Sequence, residues 1–344
     1  MAKPGQTDGT PRIAVGAPFL GLLGLDEARA IPGGVRLVLA HRADNANRNG
    51  TLHGGVIASL VETAGALALE RDAVDGGGAA ALAASPADGP RARGASSADV
   101  AAADAPRSPW SRPTAVDLSI HFVAPAIECD VVAEAHTVRR GRAVGFADVA
   151  VADADGAPIA RGLLAARAVG DARRGGDDER GDGDASVAPG AAPGVPAGDG
   201  LPASHREALE RLSFSRFSGS AFSARLQVRS ARIPGAGVVA LLPWQDLLAD
   251  EVGQVHAGAI ATLGDAAGGA SAWTAGGFDP RGRASTIAMH LTVARAPAGE
   301  DLVAIAQPPW RTGELFSIAV EVATRDRAEP VAWGSVVYRV VRPA

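Results

Sequence analysis

The sequence predicts an α+β protein built twice, with an antiparallel sheet wrapped on a helix in each copy. Three observations carry this reading. A loop–helix stretch, Asn47-Arg48-Asn49-Gly50-Thr51-Leu52-His53-Gly54-Gly55 continuing to Glu62, recurs as Asp250-Glu251-Val252-Gly253-Gln254-Val255-His256-Ala257-Gly258 continuing to Asp265. In both, a glycine lies three positions before the histidine and an acid nine after it, and the histidines stand 203 positions apart. Strand-like segments of alternating polarity follow each helix, so an apolar helix face has a sheet to cover it.

The first copy opens at Ile13–Leu25, which is apolar and glycine-punctuated and reads as a short helix on a sheet. Val35–Leu39 alternates and reads as a strand. From Gly54 to about Arg71 the set Val56, Ile57, Leu60, Val61, Ala64, Leu67 and Ala68 has helical spacing. The opposite stripe, Ala58, Ser59, Glu62, Gly65 and Ala66, is small with a single charge, so it admits a close partner such as another backbone or a thin ligand. Residues 72–112 are low in complexity and read as a disordered insertion that burial cannot offset. Strands are expected at 116–122, 130–139, 143–152 and 158–169, with turns at Gly141-Arg142 and 153–156.

Residues 170–204 are rich in Gly, Asp, Pro, Ala and Arg and read as a flexible linker. After them the pattern restarts. Strands are expected at 224–228 and 237–242, a helix from Gly258 to about Trp273, and strands at 286–294, 301–306, 315–324 and 330–341. The domain reading is therefore a tail (1–12), a first domain (13–169), the linker, and a second domain (205–342).

Composition bounds the function. Net charge is −5 and aromatic residues are 4% of the chain, which argues against nucleic-acid partners. The single cysteine, Cys129, cannot form an intrachain disulfide, and no Cys/His cluster has metal-ligand spacing. The N-terminus lacks a signal-like apolar stretch, and no apolar run is long enough to span a bilayer. A soluble cytoplasmic protein is expected, with no membrane partner. Cys129, His121, His136 and His290 fall in strands and read as structural, and Trp244 and Trp273 as core or pocket wall.

The pattern Asn47…Gly50…His53-Gly54-Gly55…Glu62, with Asp117-Leu118 in the next strand and Arg140-Gly141-Arg142 at a strand turn, resembles the hotdog-fold acyl-CoA thioesterases of the PaaI-like type. The second copy looks like a diverged member fused behind the first. The resemblance implies two hotdog folds paired about a two-fold axis within one chain, with sites at their interface. Assembly beyond that internal pair stays open. It implies an acyl-CoA substrate and no separate cofactor, coenzyme A being part of the substrate.

Each implied site joins the histidine loop of one copy to the acid and hydroxyl of the other. The first takes Asn47, His53, Gly54 and Gly55 with Asp265 and Thr286. The second takes Asp250, His256 and Gly258 with Glu62. Here the first glycine is Ala257 and the hydroxyl is lost at Ala115, while Thr114 points to the other strand face. Asp250 also brings a second negative charge towards Glu62, which raises one pKa of the pair.

These residue types suit thioester hydrolysis. N–H groups of Gly54 and Gly55 at a helix start lack intrahelical partners and can polarise a carbonyl. Asp265 acts as general base or nucleophile, Asn47 holds the water or carbonyl, and Thr286 orients the water. His53 fixes the loop or contacts the thioester. Arg139, Arg140 and Arg142 could meet the phosphates of coenzyme A. A lone His-Gly-Gly is usually only a turn before a helix, and an arginine turn usually a solvated hairpin; the duplicated spacing argues for function at the first. The competing reading is a non-catalytic acyl-CoA-binding module. A hotdog hydratase is disfavoured, because the Asp-x-Asn-Pro-x-His run of such enzymes has Arg48 or Glu251 at the Asp position and lacks the Asn-Pro.

Overall fold

The computed structural model describes residues 11–74, 110–168, 201–212, 220–277, 279 and 281–341. The first half runs β1 (Arg12–Ala14), α1 (Pro18–Leu23), β2 (Glu27–Ile31), β3 (Gly34–Leu39), α2 (Gly54–Val74), β4 (Thr114–Phe122), β5 (Val131–Arg140), β6 (Val144–Asp153) and β7 (Pro158–Arg167). The second runs α3 (Ala203–Glu210), α4 (Ala221–Arg225), β8 (Arg229–Ile233), β9 (Gly237–Leu242), α5 (Ala257–Gly276), β10 (Arg283–Val293), β11 (Leu302–Ala306), β12 (Trp310–Thr312), β13 (Leu315–Thr324) and β14 (Pro330–Val341).

One antiparallel sheet holds every strand among the described residues, in the order β1-β2-β3-β5-β6-β7-β4-β10-β14-β13-β11-β9-β8, with β12 paired to β13. Outward from the β4–β10 junction the two sides follow the same succession, β4-β7-β6-β5-β3-β2 against β10-β14-β13-β11-β9-β8. At the junction Ser119 faces His290, and the register runs from Ala288 opposite His121 to Thr292 opposite Asp117. Asp117 Oδ2 ties the join by accepting from Thr292 Oγ1 (2.9 Å) and pairing with His290 Nε2 (2.7 Å). Both junction strands carry a bulge near their start, at Ala115/Asp117 and at Thr286/Ala288.

Helices α2 and α5 are buried on nearly every side, α2 against the strands of the first half and α5 against those of the second. They also pack on each other. A Cβ placed on Gly55 would lie 2.3 Å from Thr262 Oγ1 and 2.8 Å from its Cα, and one on Gly258 would lie 2.4 Å from Ser59 Oγ. Gly55 meets Thr262 while Ser59 meets Gly258, so the N-terminal halves run antiparallel. Gly55 and Ser59 of α2 therefore receive the other helix, and glycine permits that approach, while Gly65 further along the small stripe faces Leu164 and Ala147 of the sheet.

Sheet burial explains a difference between otherwise equivalent strands. In β3 the side chains alternate, with Val35, Leu37 and Leu39 buried and Arg36 and Val38 exposed. In β9 the run Val238–Leu242 is buried throughout. Val238, Ala240 and Leu242 enter the main core, whereas Val239 and Leu241 join Leu201 and Ala208 in a second cluster beneath α3. Two covered faces call for an unbroken apolar strand.

Several expectations need correction. Residues 13–25 divide into the end of β1 and the six-residue α1. The expected strand at 224–228 is instead the end of α4 and a turn. Ser220 caps that helix by accepting from Ser223 N–H (3.1 Å), and Gln227 takes a positive φ of 57°. Strands β2, β8 and β12 were not expected. Of the insertion at 72–112, Asp72–Val74 complete α2, and Trp110 is buried with its indole donating to Gly141 O at 3.2 Å; residues 75–109 lie outside the described residues. Of the linker, Leu201 is buried and α3 starts at Ala203, with 170–200 outside the described residues. Of the tail, Arg12 belongs to β1 and 1–10 lie outside. No helix among the described residues is long and apolar enough to cross a membrane.

Candidate active site

The repeated loop is first a folding device. Asn47 Oδ1 accepts from the N–H groups of Asn49 (2.8 Å) and Thr51 (3.3 Å), and Asp250 Oδ1 accepts from Val252 and Gln254 (both 2.9 Å). Gly50 and Gly253 take positive φ angles of 76° and 81° within these turns. Asn47 Nδ2 also donates to Thr51 Oγ1 at 2.6 Å. Its Oδ1 is thus committed to the turn, while the residue also lines the small cavity of the first site.

Each histidine then caps a helix. Gly55 N–H donates to His53 Nδ1, and Gly258 N–H to His256 Nδ1, both at 3.0 Å. This corrects one expectation: Gly55 N–H is taken, and the orphan donor at the start of α2 is Gly54 N–H. The same bond fixes the tautomer, because an Nδ1 that accepts leaves the proton on Nε2. Burial lowers the His53 pKa, against the pull of Asp265, and takes His256 down to about 4, so both rings are neutral caps near pH 7.

At the first site residues of α5 lie against the start of α2. Asp265, on α5, reaches the start of α2, with Oδ2 3.5 Å from His53 Nδ1. A Cβ on Gly54 would lie 2.7 Å from the same oxygen, so the carboxylate rests over bare glycine backbone. The positive end of α2 favours an anion there. Thr286 Oγ1 donates to Asp265 Oδ1 at 2.6 Å, so it orients the acid directly. His53 Nε2–H points to Ser223 Oγ at 3.3 Å, and Phe222 packs on the ring at 5.4 Å between centroids. Ser223, His53 and Asp265 resemble a hydrolytic triad in order, but the tautomer argues against one: Nε2 is the donor and cannot take the serine proton.

The cavity here measures about 60 Å³, room for a few waters. His53, Asp265, Ser223, Ser230, Trp273 and Tyr338 are among its walls. Burial, and next the charge of Asp265, raise the Tyr338 pKa, so its phenol keeps its proton. The Arg48 guanidinium lies over Trp273 at 5.1 Å and donates to Gly282 O at 3.2 Å.

At the second site Glu62 Oε2 lies 3.6 Å from His256 Nε2, and Phe19 stacks on the ring at 5.0 Å. Burial first, then Glu251 and Asp250, push Glu62 up to about 8, against a weak hydrogen bond from Thr63. With the acid protonated and the histidine neutral at pH 7, this contact is no ion pair. The cavity beside it measures about 490 Å³ and includes Thr114, Ala115, Asp250 and Ala257 in its lining.

The arginine turn is not brought to either cavity. Arg140 donates to Asp72 Oδ2 at 2.6 Å and anchors the far end of α2, while Arg139 and Arg142 are exposed. Ser223 and Tyr338 were missed. The available signal was the pair Phe19 and Phe222, separated by the same 203 positions as the histidines.

Similarity to known proteins bears on the fold. Residues 49–160 match the family model described as the thioesterase superfamily. A tesB protein of Mycobacterium avium subsp. paratuberculosis superposes with a TM-score of 0.56 at 14% identity, covering 94% of this chain and 98% of its own. A conserved protein of unknown function with a hot dog fold from Alicyclobacillus acidocaldarius gives 0.52 at 13%, covering 96% and 100%. The fold is a hotdog fold. A protein described as a candidate thioesterase II from Thermobifida fusca gives 0.55 at 14%, covering 96% and 98%. At such identities hotdog architecture is what these structures share with the chain. No curated protein sequence matches it.

Proposed function

We propose that the chain is two fused hotdog folds of the PaaI-like type, divided near 13–169 and 205–342, and that it hydrolyses an acyl-CoA thioester to the free acid and CoA. The observation that carries this is Asp265 of one half seated over Gly54 at the helix start of the other. A thioester carbonyl at Gly54 N–H would face a preformed donor and the α2 dipole. Asp265, held by Thr286, takes a proton from a water in the small cavity as that water attacks the carbonyl. The tetrahedral intermediate then expels the CoA thiolate, which recovers a proton from the acid. Direct attack by Asp265 is the nucleophilic variant. His53 holds the loop and Ser223, whose own hydroxyl hydrogen stays free to donate to a ligand.

A panel of short, long and aromatic acyl-CoAs tests the activity on wild type and Asp265→Asn. Hydrolysis of at least one thioester, lost in the variant with the fold retained, supports the proposal. Absence of hydrolysis at every chain length by the wild type leaves the non-catalytic acyl-CoA-binding reading instead.

A further inference from the structure

Hydrolysis at Asp265 leaves the larger cavity unexplained. At about 490 Å³ it has the size of a small-molecule site, roughly 300–1,000 Å³. Its walls are largely apolar, with Val15, Leu20, Leu67 and Val293 among them. The residues equivalent to those around Asp265 have lost their hydroxyls. Ala115 precedes the bulge in β4 as Thr286 does in β10, and Leu20 follows Phe19 as Ser223 follows Phe222. Three polar residues are buried in the wall, Glu62, Thr63 and His256, and the Glu62 carboxyl, 7% exposed, has Thr63 Oγ1 at 3.4 Å and His256 Nε2 at 3.6 Å.

We propose that this second cavity is a non-hydrolytic binding site for an uncharged, chain-like ligand that offers a carbonyl to the Glu62 carboxyl. The proposal does not depend on hydrolysis at Asp265. Glu62 is displaced to about 8, so near pH 7 it carries a proton to donate. The charged and titratable groups around it come from three segments: Glu70 and Arg71 on α2, Asp250, Glu251 and His256 before α5, and Arg112 before β4. Glu251 and Asp250 act on Glu62 itself, so the field at the carboxyl is negative. An anionic head group is disfavoured there and a neutral amide or ester is not.

Calorimetric titration of the full chain with decanamide and with decanoate tests this. At pH 7 the amide is expected to bind with one equivalent and at least tenfold tighter than the anion. Its affinity should fall about tenfold between pH 7 and pH 9, as the protonated fraction of Glu62 falls. The pH series needs no variant, so it stands even where a substitution disturbs folding. Ala66→Phe, which fills the cavity, should abolish amide binding, and Asp265→Asn should preserve it. The proposal is overturned if decanoate binds as tightly as decanamide, if neither binds, if affinity is flat from pH 7 to 9, or if a folded Ala66→Phe binds as before. It is also overturned if Asp265→Asn removes amide binding, which would put the ligand in the smaller site. Loss of hydrolysis in Asp265→Asn, tested separately, bears only on the thioesterase reading.

Discussion

Gly54 and Ala257 occupy the same place in two loops, and only the first lies under a carboxylate at 2.7 Å from where a Cβ would stand. At the second the residue is alanine, and Glu62 lies beside His256 Nε2, whereas Asp265 lies beside His53 Nδ1. Gly54→Ala should therefore fold normally but displace Asp265, lowering kcat roughly 10- to 100-fold; kinetics beside a melting curve check this, and a Tm drop with kcat intact would count against it. Glu62 and His256 also set a pH profile. The Glu62 pKa is raised in the fold, so its contribution is full below about 4.5 and is lost as pH rises through about 8. The His256 pKa is lowered, so its contribution is full above about 6.5 and is lost as pH falls towards about 4. The two slopes oppose each other between about 4.5 and 6.5, and above that only the loss at Glu62 remains. Glu62→Gln should thus raise Tm at pH 8–9 and flatten the decline, as melting curves across pH will show. At this scale the sequence was half legible. His53 and Asp265 stood out by their repetition and Thr286 only through the resemblance, whereas Gly50 recurs as Gly253, and Asn47 is answered by Asp250, because the turn needs them. Ser223 was hidden because its helix is only five residues long and resembled a strand.

The contact of α2 with α5 depends on two glycines rather than on large side chains. A methyl group at Gly55 would strike Thr262 down to its Cα, and one at Gly258 would strike Ser59 at 2.7 Å from Cβ and 3.0 Å from Cα. Backbone must move in either case. Gly55→Ala and Gly258→Ala should each lower stability by about 1–3 kcal/mol, measured by denaturant unfolding; a neutral result for either would mean the helices can slide apart. Long elements were readable because their periods are sustained: α2, α5 and the long hairpin strands lie within a few residues of expectation. The short strands β2, next to one edge, and β8, at the other, were not, since a five-residue segment such as Glu27–Ile31 gains its strand character from the neighbours it pairs with. The unbroken apolar run of β9 became meaningful only once α3 was seen to cover its outer face.

One sheet and two crossed helices make the halves a unit. A first half without its partner would expose the β4 edge and the α2 surface at Gly55 and Ser59, and each candidate site would lose its acid or its loop. A protease site introduced at residue 185 and then cut should leave both fragments together in gel filtration with hydrolysis intact, because β4 pairs with β10 and α2 packs on α5 through residues on either side of the cut. Fragments that separate would show that the covalent connection holds the pair. The repeated loop–helix spacing made a two-sided sheet legible from the sequence, whereas the unequal cavities are a product of packing that motif spacing does not encode.

The central claim is that the two interface sites have diverged, with hydrolysis carried by Asp265 over Gly54. Turnover of the best acyl-CoA by Asp265→Asn and Glu62→Gln, measured side by side, tests it most directly. The expected result is a loss of ~10²–10⁴-fold in Asp265→Asn and a far smaller change in Glu62→Gln; equal losses in the two variants would contradict it.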